Sequence, residues 1–263
     1  MNFIIFGGSG FIGTHLIKIL KSEVVKENDK IYDLDIVMLR KDYENFIAAA
    51  TVEFEKNNDG FEFFTFENHN DYWLFITRVV AKGRICFEKE HLEKYHGFPY
   101  IAGLDITVLD NVPDDSAAMK NMSMLAKKLL VFADTFELGL YDEKKIKSEI
   151  NDIKEKITVK YLFPAYYESN DKDLIILAKD RIEKLKEKLS YIIELFKTED
   201  NKTIIKRQLY SFTTALFSLY DDSESTKVTQ MVPLGINGST IAFDRKYYDH
   251  VIELPFENRK NIL

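Results

Sequence analysis

The amino-acid sequence predicts an α+β protein in which a sheet is followed by a lobe of helices. Two segments alternate apolar and polar residues with the period of a strand. Residues 116–225 repeat apolar residues with the period of a helix. No Pro/Gly/Ser-rich linker separates the two regions, so residues 1–263 are expected to form a single domain, with residues 116–225 as its helical lobe.

Residues 2–6 are a short apolar run, followed by Gly7-Gly8-Ser9-Gly10 and a helical pattern from Phe11 to about Lys21. That order reads as strand, tight turn and helix, an opening βα segment over residues 1–31. Over residues 30–39, Tyr32, Leu34, Ile36 and Met38 fall on one face and Ile31, Asp33, Asp35, Val37 and Leu39 on the other. The first face is wholly apolar. Residues 41–50 read as a short helix, 61–66 as an aromatic strand, and 72–80 as a helix or strand that periodicity does not separate. Residues 103–110 repeat the alternation, with Leu104, Ile106 and Val108 opposite Asp105 and Thr107. After Pro113-Asp114-Asp115 the chain turns helical and rich in Lys and Glu. The pattern is clearest over residues 173–197, where Leu174, Leu177, Ile182, Leu185, Leu189, Ile192 and Phe196 mark the inner face. Asp171-Lys172-Asp173 reads as the cap of that helix, its charge favourable at the N-terminal end. The tail returns to turn signals at Gly235 and Asn237-Gly238, then to an apolar run over residues 251–256.

Composition narrows the chemistry. With 20 Phe and 14 Tyr beside only 11 Gly and 5 Pro, the chain is suited to a dense aromatic interior and not to a linker or collagenous architecture. Its net charge of −7 opposes a general affinity for nucleic acid. No apolar stretch approaches the ~20 residues of a membrane span, so no integral membrane association is expected. Cys86, the lone cysteine, offers neither an internal disulfide nor a multi-thiolate zinc site, which favours a reducing compartment. The opening lacks a basic segment and is interrupted by glycines, unlike a signal peptide, and a cytoplasmic location is expected.

The glycine turn Gly7-Gly8-Ser9-Gly10-Phe11-Ile12-Gly13 places backbone N–H groups and a helix start where an anion can sit. It lies between an apolar run and a helix, as a dinucleotide fingerprint requires, with Asp33 or Asp35 near the position of a ribose-binding acid. The alternative is a turn needed only for helix–strand packing. Residues 2–35 resemble the opening of the extended short-chain dehydrogenase/reductase family, the NAD-dependent epimerases and dehydratases. That resemblance implies NAD held by Gly7, Gly8, Ser9, Gly10 and Gly13. The family's Tyr-x-x-x-Lys spacing occurs at Tyr141 and Lys145, with Ser123 and Thr135 upstream, but it reads better as the solvated face of a helix.

Asp33-Leu34-Asp35 sets two carboxylates at i and i+2 of a strand, suited to one hard cation whose shell is completed by substrate phosphates. An edge strand with solvated acids is the alternative. His15, His69, His91, His96 and His250 show no metal-ligand spacing, and Arg40 is a candidate phosphate contact or a surface ion pair. Three blocks, residues 33–47 (Asp-Leu-Asp-Ile-Val-Met-Leu-Arg-Lys-Asp-Tyr-Glu-Asn-Phe-Ile), residues 104–115 and residues 243–258, together resemble the LicD family of phosphocholine transferases, which is similar to the fukutin group.

The resemblance spans residues 32–258 and implies a nucleotidyltransferase-like mixed sheet with a C-terminal helical lobe. It implies transfer of phosphocholine, or a similar alcohol phosphate, from a CDP-choline-like nucleotide donor to a hydroxyl of a cell-surface glycan acceptor such as lipopolysaccharide or teichoic acid. It also implies Mg²⁺, with Asp33, Asp35 and Asp105 as the catalytic and metal-binding acids and Asp105 as third ligand or base. The family's glycine turn just before the acidic strand is replaced here by the epimerase-like segment. The family also continues past the Phe-Glu-Asn block, whereas this chain stops at Leu263. Reduced activity is expected from both departures.

Overall fold

The computed structural model of the chain describes residues 4–5, 34–56, 61–66, 68, 76–81, 103–137, 139–197, 202–230, 241–248, 255–256 and 259–260. It is α+β and divides into two compact units, residues 1–109 with 245–263, and residues 110–244. The helical lobe expected over residues 116–225 falls inside the second.

The first unit is built on a mixed sheet. Its strands are β1 (Ile4–Ile5), β2 (Leu34–Leu39), β3 (Phe61–Phe64), β4 (Ile76–Ala81) and β5 (Gly103–Val112, the last three residues of which count with the second unit), in the order β1-β2-β5-β4-β3. Strands β1, β2 and β5 run parallel, while β4 and β3 are antiparallel additions. Helix α1 (Arg40–Lys56) follows β2 directly and extends past the expected end at Ala50. Its Tyr43, Phe46, Ile47 and Ala50, spaced as one helical stripe, pack on Ile36, Met38, Phe63, Val79, Leu104 and Ile106. Phe46 meets Phe63 edge-on at 6.2 Å, and the Tyr43 hydroxyl shares a 2.7 Å hydrogen bond with the buried Thr77 hydroxyl. Ile36, Met38, Leu104, Ile106 and Val108 bury as the alternation predicts, and Leu39 and Leu109 are buried as well. Residues 72–80, undecided in the sequence, resolve as β4 where they are described.

The second unit contains α2 (Ser116–Glu137), α3 (Glu143–Lys156), α4 (Val159–Leu162), α5 (Pro164–Ser169), α6 (Lys172–Leu195) and α7 (Lys202–Phe217). A short 3₁₀ turn (Asp222–Glu224) and the antiparallel pair β6 (Lys227–Gln230) and β7 (Phe243–Asp244) complete it. Polar side chains start these helices. Asp115 accepts from the Ala118 amide, Asp142 from Lys145 and Thr158 from Tyr161. As the sequence predicts, Asp171 caps α6, accepting from the amides of Asp173 and Leu174 at 2.9 and 3.3 Å. The inner face of α6 is Ala178, Ile182, Leu185, Leu189 and Ile192, with Leu177 exposed instead of buried. Asp171→Ala is expected to lower the stability of this unit by about 1 kcal/mol, and Asp171→Ser by much less, as read from urea midpoints.

Strand β8 (Pro255–Phe256) pairs with β9 (Arg259–Lys260) in the first unit. No helix among the described residues is long and apolar enough to cross a membrane.

Candidate functional site

The sheet of the first unit has a second face, away from α1. Across it, Asp35 on β2, Asp105 on β5, Arg78 on β4 and Phe64 on β3 are successive register partners. Register partners share a face of a sheet, so the four residues form one row. Asp35 and Asp105 sit on neighbouring parallel strands, whose backbones lie ~4.8 Å apart. Carboxylates placed this way repel each other unless a cation offsets the charge. One does. Arg78 Nε donates to Asp105 Oδ1 at 2.5 Å, and both side chains are nearly buried, at 13% and 14% exposure.

The remaining predicted residues divide clearly. Gly7, Gly8, Ser9, Gly10, Gly13, Asp33 and the five histidines lie outside the described residues. Asp35 is placed by its backbone. Arg40, at the start of α1, holds its guanidinium 5.6 Å from the Tyr43 ring centroid, a cation–π contact. Among the described residues, no group of three or more His, Cys, Asp or Glu is arranged to hold a metal ion.

The Tyr-x-x-x-Lys spacing has a structural explanation. Tyr141 stacks on Phe136, with centroids 4.6 Å apart, and carries the Lys202 ammonium at 5.1 Å from its ring. The Lys145 amide is the group capped by Asp142, and the Lys145 side chain is exposed. The hydroxyls of Ser123 and Thr135 donate to the Met119 and Phe132 carbonyls within α2, at 2.8 and 2.7 Å.

Sequence reasoning missed a polar network in the second unit. Arg181 on α6 donates from Nη1 to the Leu219 carbonyl and to Glu224 Oε2, both at 2.7 Å, and from Nη2 to Asp221 Oδ2 at 2.6 Å. Glu224 also accepts from the Tyr166 hydroxyl and from the Asp221 amide. The Arg181 guanidinium faces the Phe163 ring at 5.9 Å, and Tyr220 donates to the Leu162 carbonyl. Burial pushes the Tyr166 hydroxyl up, reinforced by its bond to Glu224. Burial would raise Glu224 as well, but the bonds from Tyr166, the Asp221 amide and Arg181 outweigh it and hold the carboxyl below its usual range. Each of these groups is satisfied by another, so the arrangement fastens the end of α7 to α6 and presents no open chemistry.

The depressed Glu224 carboxyl fixes a sign. Its contribution to stability is fully present above the ordinary carboxylate pKa of about 4.3 and is lost as pH falls through the lower folded value. Glu224→Gln is therefore expected to flatten the acid limb of stability below about pH 4.3 while lowering stability at neutral pH. Melts between pH 3 and 7 read both effects.

No family model, curated protein or solved structure matches this chain. Its chemistry rests on its own residues.

Proposed function

We propose that the chain is a LicD-like phosphotransferase on a nucleotidyltransferase-like sheet, moving phosphocholine or a similar alcohol phosphate from a CDP-activated donor to a glycan hydroxyl. The supporting observation is the register pairing of Asp35 with Asp105 on parallel strands whose opposite face is closed by α1. A covered apolar face holds the strands, and with them the backbone positions of this row, still.

In this reading the ion is a hard divalent cation, because such ions prefer carboxylate oxygens as ligands. Asp33 and Asp35 would hold Mg²⁺, which when bound supplies neutralisation of the donor diphosphate. Asp105, anchored by Arg78 through Oδ1, is the register partner of Asp35 on the next strand. There it orients the acceptor hydroxyl and accepts its proton.

The dinucleotide-binding alternative asks for a doubly wound parallel sheet and a free Ser/Tyr/Lys set. Here β4 and β3 run antiparallel, Ser123 and Thr135 bond their own helix, and Tyr141 is stacked. Calorimetry distinguishes the two readings. CDP-choline is expected to bind only with Mg²⁺ present, and NAD⁺ is expected not to bind. Chelator-insensitive binding of NAD⁺, without binding of CDP-choline, would overturn the proposal.

A further inference from the structure

Residues 219–226, between α7 and β6, are fastened to the second unit along their whole length, and carboxylates serve as acceptors from one end to the other. At the first end Arg181 donates to the Leu219 carbonyl, Asp221 and Glu224, and Glu224 also accepts from the Tyr166 hydroxyl and the Asp221 amide. Midway, Asn111 on β5 donates to the Tyr220 carbonyl at 3.1 Å and to Asp222 Oδ1 at 3.0 Å. At the far end Asp114 Oδ1 accepts from the Thr226 amide at 3.1 Å and the Thr226 hydroxyl at 2.7 Å. A carboxylate surrounded by donors cannot take up a proton without turning an acceptor into a donor that faces another donor.

We propose that residues 219–226 form an acid-released strap, closed at neutral pH, which opens as one piece and ahead of the helices around it when its carboxylates are protonated. Glu224 is faced by Tyr166 from α5, by Arg181 from α6 and by Asp221 in its own turn, and the nearby Tyr220 also feels Asp115. These contacts hold the Glu224 carboxyl below its usual range, so its hold on the strap is complete above about pH 4.3 and is lost as pH falls through the lower folded value. The helices beside the strap are held by buried apolar residues such as Met122, Leu129, Ile182 and Phe212, which do not titrate. The strap itself is exposed at Asp221, Asp222 and Thr226, where local opening costs least. Its release bares Leu219 and Tyr220, both buried while it is closed. This inference stands or falls independently of the phosphotransferase reading.

Amide hydrogen exchange of the full chain, followed residue by residue by NMR from about pH 7 to about pH 3.5, tests it. Protection factors, which remove the intrinsic pH dependence of exchange, are the quantity compared. Protection at the Asp221 and Thr226 amides, both bonded to carboxylates, is expected to fall at least about tenfold across this range, while Leu129 and Ile182 keep theirs within about twofold. Equal losses at all four amides would mean global acid unfolding, and undiminished protection at Asp221 and Thr226 would mean a strap that stays shut. Either result overturns the inference. Asp114→Asn tests whether the strap moves as one piece, because it changes only the end away from Glu224. At neutral pH it is expected to lower protection at least about threefold at Asp221 as well as at Thr226. A loss confined to Thr226, or no loss at either amide, overturns the inference, and the wild-type pH series decides should this variant not fold.

Discussion

Asp35→Asn is expected to reduce Mg²⁺-dependent binding of CDP-choline by more than about 100-fold while leaving the fold intact. The substitution preserves shape and removes one charge, so a loss of binding reports on the ion and not on packing. Loss of an outer partner of a metal ligand already costs about 10- to 100-fold in metal affinity, and replacing a ligand costs more. Arg78 is the register partner of Asp105 and not of Asp35. Asp180→Asn, on the exposed face of α6 and paired only locally with Lys184, is the matched control and is expected to bind normally. Calorimetry with melting temperatures for both variants is the measurement. Unchanged affinity in Asp35→Asn would remove the acid row from the site.

Arg181→Met is expected to be the most damaging single change to the second unit. Its guanidinium answers two carboxylates and one carbonyl, and both it and Glu224 are largely shielded, at 14% and 10% exposure. Methionine fills comparable volume but leaves the Glu224 charge without its cation and the Leu219 carbonyl without a donor. Breaking a buried pair from one side costs about 3–5 kcal/mol, far more than the pair contributes relative to an apolar replacement. The double variant Arg181→Met/Glu224→Gln is accordingly expected to be less destabilised than the sum of its single changes, by at least about 1 kcal/mol. Urea unfolding followed by far-UV circular dichroism would measure both. A loss under 1 kcal/mol in Arg181→Met would mean that the network is solvated and not structural.

How far the fold could be read in advance depends on the range of the interaction. Alternation in β2 and β5 was legible over the stretch where it holds, with Leu104 and Ile106 buried and Asp105 and Thr107 part-exposed, and it lapses at Leu39 and Leu109, which are buried too. Strand β4 was not, because Val79 and Val80 are consecutive and both buried, which removes the period of two. The cap and inner face of α6 were legible from local spacing. Leu177 was misplaced because Ala178, small enough for close approach, takes the buried position instead. The acids Asp35 and Asp105 were visible as residues, but the pairing of Asp105 with Arg78 depends on antiparallel register across 27 positions. The Arg181 network spans 38 to 43 positions and has one local trace, the Asp221-x-x-Glu224 capping box.

The one-sided packing of α1 on the sheet has an evolutionary consequence. Residues such as Ile36, Met38 and Ile106 are locked by cohesion, whereas their alternate neighbours along the same strands answer to a separate selective pressure. Asp105 is tied to Arg78 in a nearly buried pair, so a lineage that exchanges this acid has to exchange its arginine as well, and the two changes must travel together.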